Sequence, residues 1–189
     1  MSLEEFVLFV HLAAVAAAFF LGGVVHVSEW QVRYATTMQD LRLVTRPFKW
    51  GAMFGPILLV ILLAGGWLAS LEDYDMGAGW LWVSSLGTLV LLVDGPVVMA
   101  PHGKELRKAY AEAGEGPVPP AVRALVCDPR TWVVGHLNTG LALGIVFAMV
   151  VKPDALGSVL ALLVGAALGG WIGLQRSKAA LAGPAVKTA

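Results

Sequence analysis

The sequence predicts an all-α fold: a polytopic membrane helix bundle with five transmembrane helices. Three observations predict it. The chain of 189 residues is 58% hydrophobic and only 14% charged, against about 25% charged in a soluble domain. It contains five apolar stretches long enough to cross the ~30 Å of a bilayer core at ~1.5 Å per residue. Apart from Glu29 and Asp94, its charges lie outside those stretches. Lipid leaves a spanning backbone no other open solution than the helix, because its amides find partners only within their own segment. A single integral domain over residues 1–189 is expected.

The spans fall at about 6–30, 50–71, 77–99, 132–151 and 155–175. The first, FVLFVHLAAVAAAFFLGGVVHVSEW, carries no charge before Glu29. Taken at ~100° per residue, His11, Val15, Ala18, Gly22, His26, Glu29 and Arg33 fall within a stripe of roughly 80°. A side bearing that many polar groups turns away from lipid. The opening MSLEEF is acidic, so it lacks the basic region of a cleaved signal peptide, and the first span is expected to stay.

Pro47 opens the second span, and Pro56 is expected to kink it. Gly95-Pro96 and Pro101 should bend or break the third near its inner end, leaving Lys104–Ala113 as a short cytosolic helix closed by the turn residues of Gly114–Pro120. Asp128-Pro129 is an N-cap followed by a first-turn proline, which starts the fourth. Gly51/Gly55, Gly140/Gly144 and Gly165/Gly169/Gly173 have the spacing that lets helices approach closely.

Charge sets the orientation. Arg33, Arg42, Arg46, Lys49, Lys104, Arg107, Lys108, Arg123, Arg130, Arg176, Lys178 and Lys187 lie on one side, which is 12 of 13 basic residues, and only Lys152 lies opposite. Basic loops stay cytoplasmic, so the N-terminus is outside and the C-terminus inside. Tryptophans are read as interface marks, with Trp67, Trp80 and Trp82 outer and Trp30, Trp50, Trp132 and Trp171 inner. Net charge is zero, which gives no case for nucleic acid. The bilayer is the expected partner, with a homo-oligomer or a larger membrane complex as further candidates. Cys127, the one cysteine, makes no internal disulfide.

His26 lies four residues before Trp30 and His136 four after Trp132 on a helix running the other way. Both are therefore expected ~6 Å inside the cytoplasmic interface, with His102 slightly nearer water. Imidazoles converging at one level can ligate haem iron or a transition metal. Glu29, one turn on from His26, is placed to orient its ring. His11 lies ~28 Å above Trp30, apart from the other three. It is a candidate for a second cofactor or metal. Asp94 lies ~15 Å deep, a candidate proton relay or cation ligand, or else a neutral acid bonded to Ser84, Ser85 or Thr88. There is no phosphate loop, CxxC, CxxCH or HExxH motif.

From His11 to Gly23 the chain resembles the opening helix of small bacterial membrane proteins of the CopD and HemJ type. These begin with an early histidine, an apolar run, an aromatic pair and glycine, here His11, Phe19-Phe20 and Gly22-Gly23. His136, in Val134-Gly135-His136-Leu137, echoes a second helix-borne histidine. The chain departs from the pattern in having phenylalanine where tryptophan is usual and no intramembrane lysine. The resemblance implies a bacterial inner (cytoplasmic) membrane and either haem b with porphyrin oxidation or copper handling, and it carries over only His11.

The residues then lead to a first expectation: a haem b protein of electron transfer, with His26 and His136 as axial ligands and His102 or His11 as alternates. A copper or proton permease stepping through His11, Asp94 and the inner histidines is the second. A non-catalytic subunit of a membrane complex is the third.

Overall fold

The computed structural model describes residues 1–182, so Lys187, one of the basic residues counted above, lies outside the described part. Eight α-helices run α1 Leu3–Val32, α2 Met38–Val44, α3 Phe54–Leu71, α4 Gly79–Asp94, α5 Ala100–Glu112, α6 Pro120–Val126, α7 Pro129–Val151 and α8 Ala155–Leu181. A 3₁₀ stretch, Arg46–Met53, leads from α2 into α3, and a π-turn, Gly95–Met99, joins α4 to α5. Among the described residues, five helical segments are long and apolar enough to span a bilayer. Their outer faces carry exposed Phe20, Leu63, Val150 and Trp171, as lipid-facing surfaces should.

Local chemistry accounts for the helix ends. Ser2 and Glu5 form a reciprocal capping box at the start of α1, and Thr37 and Asp40 do the same for α2. Asp128 accepts from the Arg130 amide ahead of Pro129, so α7 begins where the Asp-Pro pair placed it. The second span is helical through Pro56. The switch from 3₁₀ to α comes at Phe54, so Pro56 lies in the first turn of α3, where its missing N–H costs nothing. The third span, expected to bend or break here, stays helical but passes through the π-turn. The Ala100 amide reaches back five residues to the Gly95 carbonyl. That wider turn makes room for Pro96 while the rod continues into α5.

The helices pack unevenly. α7 and α8 lie closest, α1 packs along α3, and α4 lies against α7 and α8. The stripe on α1 does face protein: His11 and Glu29 are buried and Val15, Ala18, Gly22, His26 and Arg33 half-buried, whereas Leu12, Phe20 and Val27 are exposed.

The inner end holds a feature that the charged segments conceal. Gln31–Lys49 and Ala100–Thr131, which separate the spans, are largely helical, as expected for Lys104–Ala113, and fold into a cap at the inner end. Val32, Ala35, Met38, Leu41, Leu106, Val122, Val126, Cys127, Trp132 and Ala180 form its apolar core. Arg123 donates to the carbonyls of Val32 and Ala35 at the end of α1, and Arg42 to those of Tyr110 and Ala113 at the end of α5. Guanidinium groups thus satisfy the carbonyls that helix ends leave over. Trp132 is therefore not an interface residue: it is 2% exposed, its indole N–H donating to Val126. Trp80 is likewise buried rather than lipid-facing. At the outer end Lys152, the one basic residue there, donates to the Tyr74 hydroxyl at 2.6 Å and lies over the Tyr74 ring.

Candidate functional site

Two backbones must be fixed before α1 and α7 can share a site. α7 is fixed by α8 through glycines. A β-carbon on Gly140 would overlap the Gly165 carbonyl, and one on Gly169 would overlap the His136 carbonyl. One on Gly173 would stand 2.5 Å from the Trp132 carbonyl. Only residues without side chains allow this contact, and it sets the depth and rotation of α7. Gly51 and Gly55 have nothing within 4 Å of a built β-carbon, so that spacing marks no close contact in the chain.

α1 approaches α7 on another side through side chains rather than backbone. The His26 and His136 rings lie 4.2 Å apart between centroids, inclined by 39°. Glu29 Oε2 stands 2.7 Å from His26 Nδ1 and 3.8 Å from His136 Nδ1. Thr139 Oγ1 lies 2.7 Å from His26 Nε2 and 3.2 Å from the Gly135 carbonyl. The ligand atoms of His26, Glu29 and His136 all lie within 4.8 Å of one another. The His136 ring stacks on Trp132, the wall of the cytoplasmic cap.

Hydrogen-bond chemistry fixes which nitrogens are open. His136 Nδ1 faces the Trp132 carbonyl at 3.0 Å. A carbonyl has no proton to give, so Nδ1 carries the hydrogen and Nε2 the lone pair. That Nε2 is buried and has no partner among the described residues, in a residue only 5% exposed. An orphaned buried acceptor costs about 1–3 kcal/mol, so it calls for a ligand. His26 Nδ1–H donates to the Glu29 carboxylate, leaving its Nε2 to the Thr139 hydroxyl. Both imidazoles thus hold Nδ1 on an oxygen, as metal-binding histidines oriented from behind do; the Nε2 of His136 is open, and that of His26 is held by the Thr139 hydroxyl.

The remaining predicted residues fall elsewhere. His102, on α5, is half-buried, joins neither the histidine pair nor the carboxylate, and makes no side-chain hydrogen bond among the described residues. His11 is buried at the outer end, where its Nδ1 donates to the Ile61 carbonyl of α3 at 3.0 Å. Its ring fills the space over Gly65, where a β-carbon would stand 2.9 Å from it. Asp94 is not isolated and does not pair with Ser84, Ser85 or Thr88. The Asn138 amide donates to its Oδ2 at 2.5 Å, while the Thr88 hydroxyl is spent on the Ser84 carbonyl.

Sequence reasoning gave Thr139 no role, and Met99 none at all. Thr139 lies one turn from His136, a spacing that signalled it. Met99 lies at the end of the π-turn, whose effect on side-chain direction Gly95-Pro96 alone did not announce. Its Cε and Glu29 Oε1 each lie 3.8 Å from where a Gly135 β-carbon would be.

No curated protein and no solved structure matches the chain. Residues 5–153 match a family model described as "Predicted integral membrane protein (DUF2269)". That match covers α1 to α7, with every residue of the cluster, and stops before α8. It supports a membrane family rather than the CopD or HemJ type in particular. By a match over more than half its length, the chain belongs to this DUF2269 family of predicted integral membrane proteins.

Proposed function

We propose that this protein binds a transition-metal ion in the inner half of a bacterial cytoplasmic membrane, with His26 and His136 as ligands through Nε2. The single observation that carries the reading is the bare, buried Nε2 of His136 beside a second imidazole. Glu29 holds the His26 ring and supplies the negative charge that a buried cation needs. Thr139 keeps His26 Nε2 satisfied when no ion is present. Its hydroxyl already reaches the Gly135 carbonyl and turns there when the nitrogen is taken.

Haem b between the same histidines is the competing reading. Two metal–nitrogen bonds of about 2 Å in line put the ring centroids about 6 Å apart. The rings stand 4.2 Å apart, so a porphyrin would require α1 and α7 to separate. A small ion needs only local adjustment.

The test is titration of detergent-purified protein with Co(II), read by its visible d–d bands and by metal analysis. Stoichiometric binding that falls at least about 100-fold in His136→Leu is expected. No binding by the wild type would overturn the proposal. A Soret band with a reducible α-band in the preparation would replace it with the haem reading.

A further inference from the structure

We infer that the ion is a soft, monovalent one, Cu(I), and that the Met99 thioether is its third ligand; this rests on the metal reading above. The argument starts from the π-turn. In a regular α-helix, residues five apart face different sides. The i→i+5 turn from Gly95 to Ala100 brings the residues around it back to one side. Asp94 before it and Met99 at its end both face α7: Asp94 meets Asn138, and Met99 meets Gly135. Gly135 immediately precedes His136. A β-carbon there would lie in ordinary contact, 3.8 Å, with both the Met99 methyl and the Glu29 carboxylate, so the two groups lie over the same turn.

The donor set then has a definite character. Glu29 is engaged behind His26, with Oε2 at 2.7 Å from Nδ1, so it orients an imidazole rather than leading the first contact. What remains are two imidazole nitrogens and a neutral thioether. Thioether and imidazole donors in a low-coordinate site favour Cu(I), whereas carboxylate and water oxygens favour harder cations. A flexible methionine adapts to an ion of unfixed geometry. The only thiol, Cys127, is fully buried in the core of the cytoplasmic cap.

The experiment compares wild type with Met99→Leu, a near-isosteric change that costs less than about 1.5 kcal/mol in a packed site. Cu(I) affinity is measured anaerobically by competition with a Cu(I)-specific chelator, with Co(II) binding in parallel. Cu(I) affinity is expected to fall about tenfold in the variant and Co(II) affinity less than about threefold. X-ray absorption of the Cu(I)-loaded wild type should show one sulfur neighbour that disappears in the variant. Equal Cu(I) affinities in the two proteins, or a copper shell of nitrogen and oxygen alone, overturn the inference while leaving a metal site in place. Binding of neither ion by the wild type removes the metal reading itself.

Discussion

Two faces of α7 are built on opposite plans. Toward α8 its backbone is bare: Gly140 and Gly144 let main chain approach main chain, and a β-carbon on Gly144 would stand 2.8 Å from the Ala161 carbonyl. Toward α1 the backbones stay apart, and His136 and Thr139 reach across to His26 and Glu29. One face has closeness without chemistry and the other chemistry without closeness. The contrast teaches a division of labour. The glycine face holds α7 still by shape alone, so the polar face is free to leave a nitrogen unsatisfied.

The largest effect should come from breaking the first face. Gly140→Leu puts a side chain where the Gly165 carbonyl lies. It should cost about 3 kcal/mol or more and lower the midpoint of thermal unfolding by many degrees, followed by differential scanning fluorimetry. An unchanged midpoint would mean that the helices do not touch there. An intermediate effect should follow from loosening the second. Glu29→Gln keeps the shape but removes the charge behind His26. Co(II) affinity should drop about 10–100-fold with little change in unfolding midpoint. Equal losses in both variants, of stability and of metal, would dissolve the distinction between the faces. The smallest effect belongs to a control with the same sequence spacing. Gly51→Ala, with nothing within 4 Å, should shift stability by no more than about 0.5 kcal/mol, measured in the same scans.

The two buried histidines at opposite ends of the bundle sharpen the point. His11 and His136 each tie Nδ1 to a main-chain carbonyl. His11 meets the Ile61 carbonyl of α3 and fills the space over Gly65, and joins no cluster of metal-ligating groups among the described residues. His136 has a second imidazole, a carboxylate and a hydroxyl. A histidine in a membrane helix is therefore not a site by itself; what surrounds its free nitrogen decides.

Much of this was legible in the residues. Five apolar stretches, the stripe on α1 and the Asp128-Pro129 start follow from helix periodicity, capping and the cost of polar groups in lipid, which are local properties, whereas the matched depth of His26 and His136 was reached through Trp132 taken as an interface mark. Other features were not. Trp132 reads as an interface residue because nothing in its neighbourhood reveals the cap that buries it. Gly51/Gly55 and Gly140/Gly144 share one spacing, yet only the second pair meets a partner.

By itself, the sequence determined the number of spans, the sidedness of charge and which face of α1 shuns lipid, since each is settled by a segment's own exchange between water and hydrocarbon. Only the tertiary structure decided that His102 stands apart, that Asp94 pairs with Asn138 and that Met99 turns toward Gly135. Those outcomes depend on how helices rotate against one another, and that rotation is set by close packing between residues far apart in the chain.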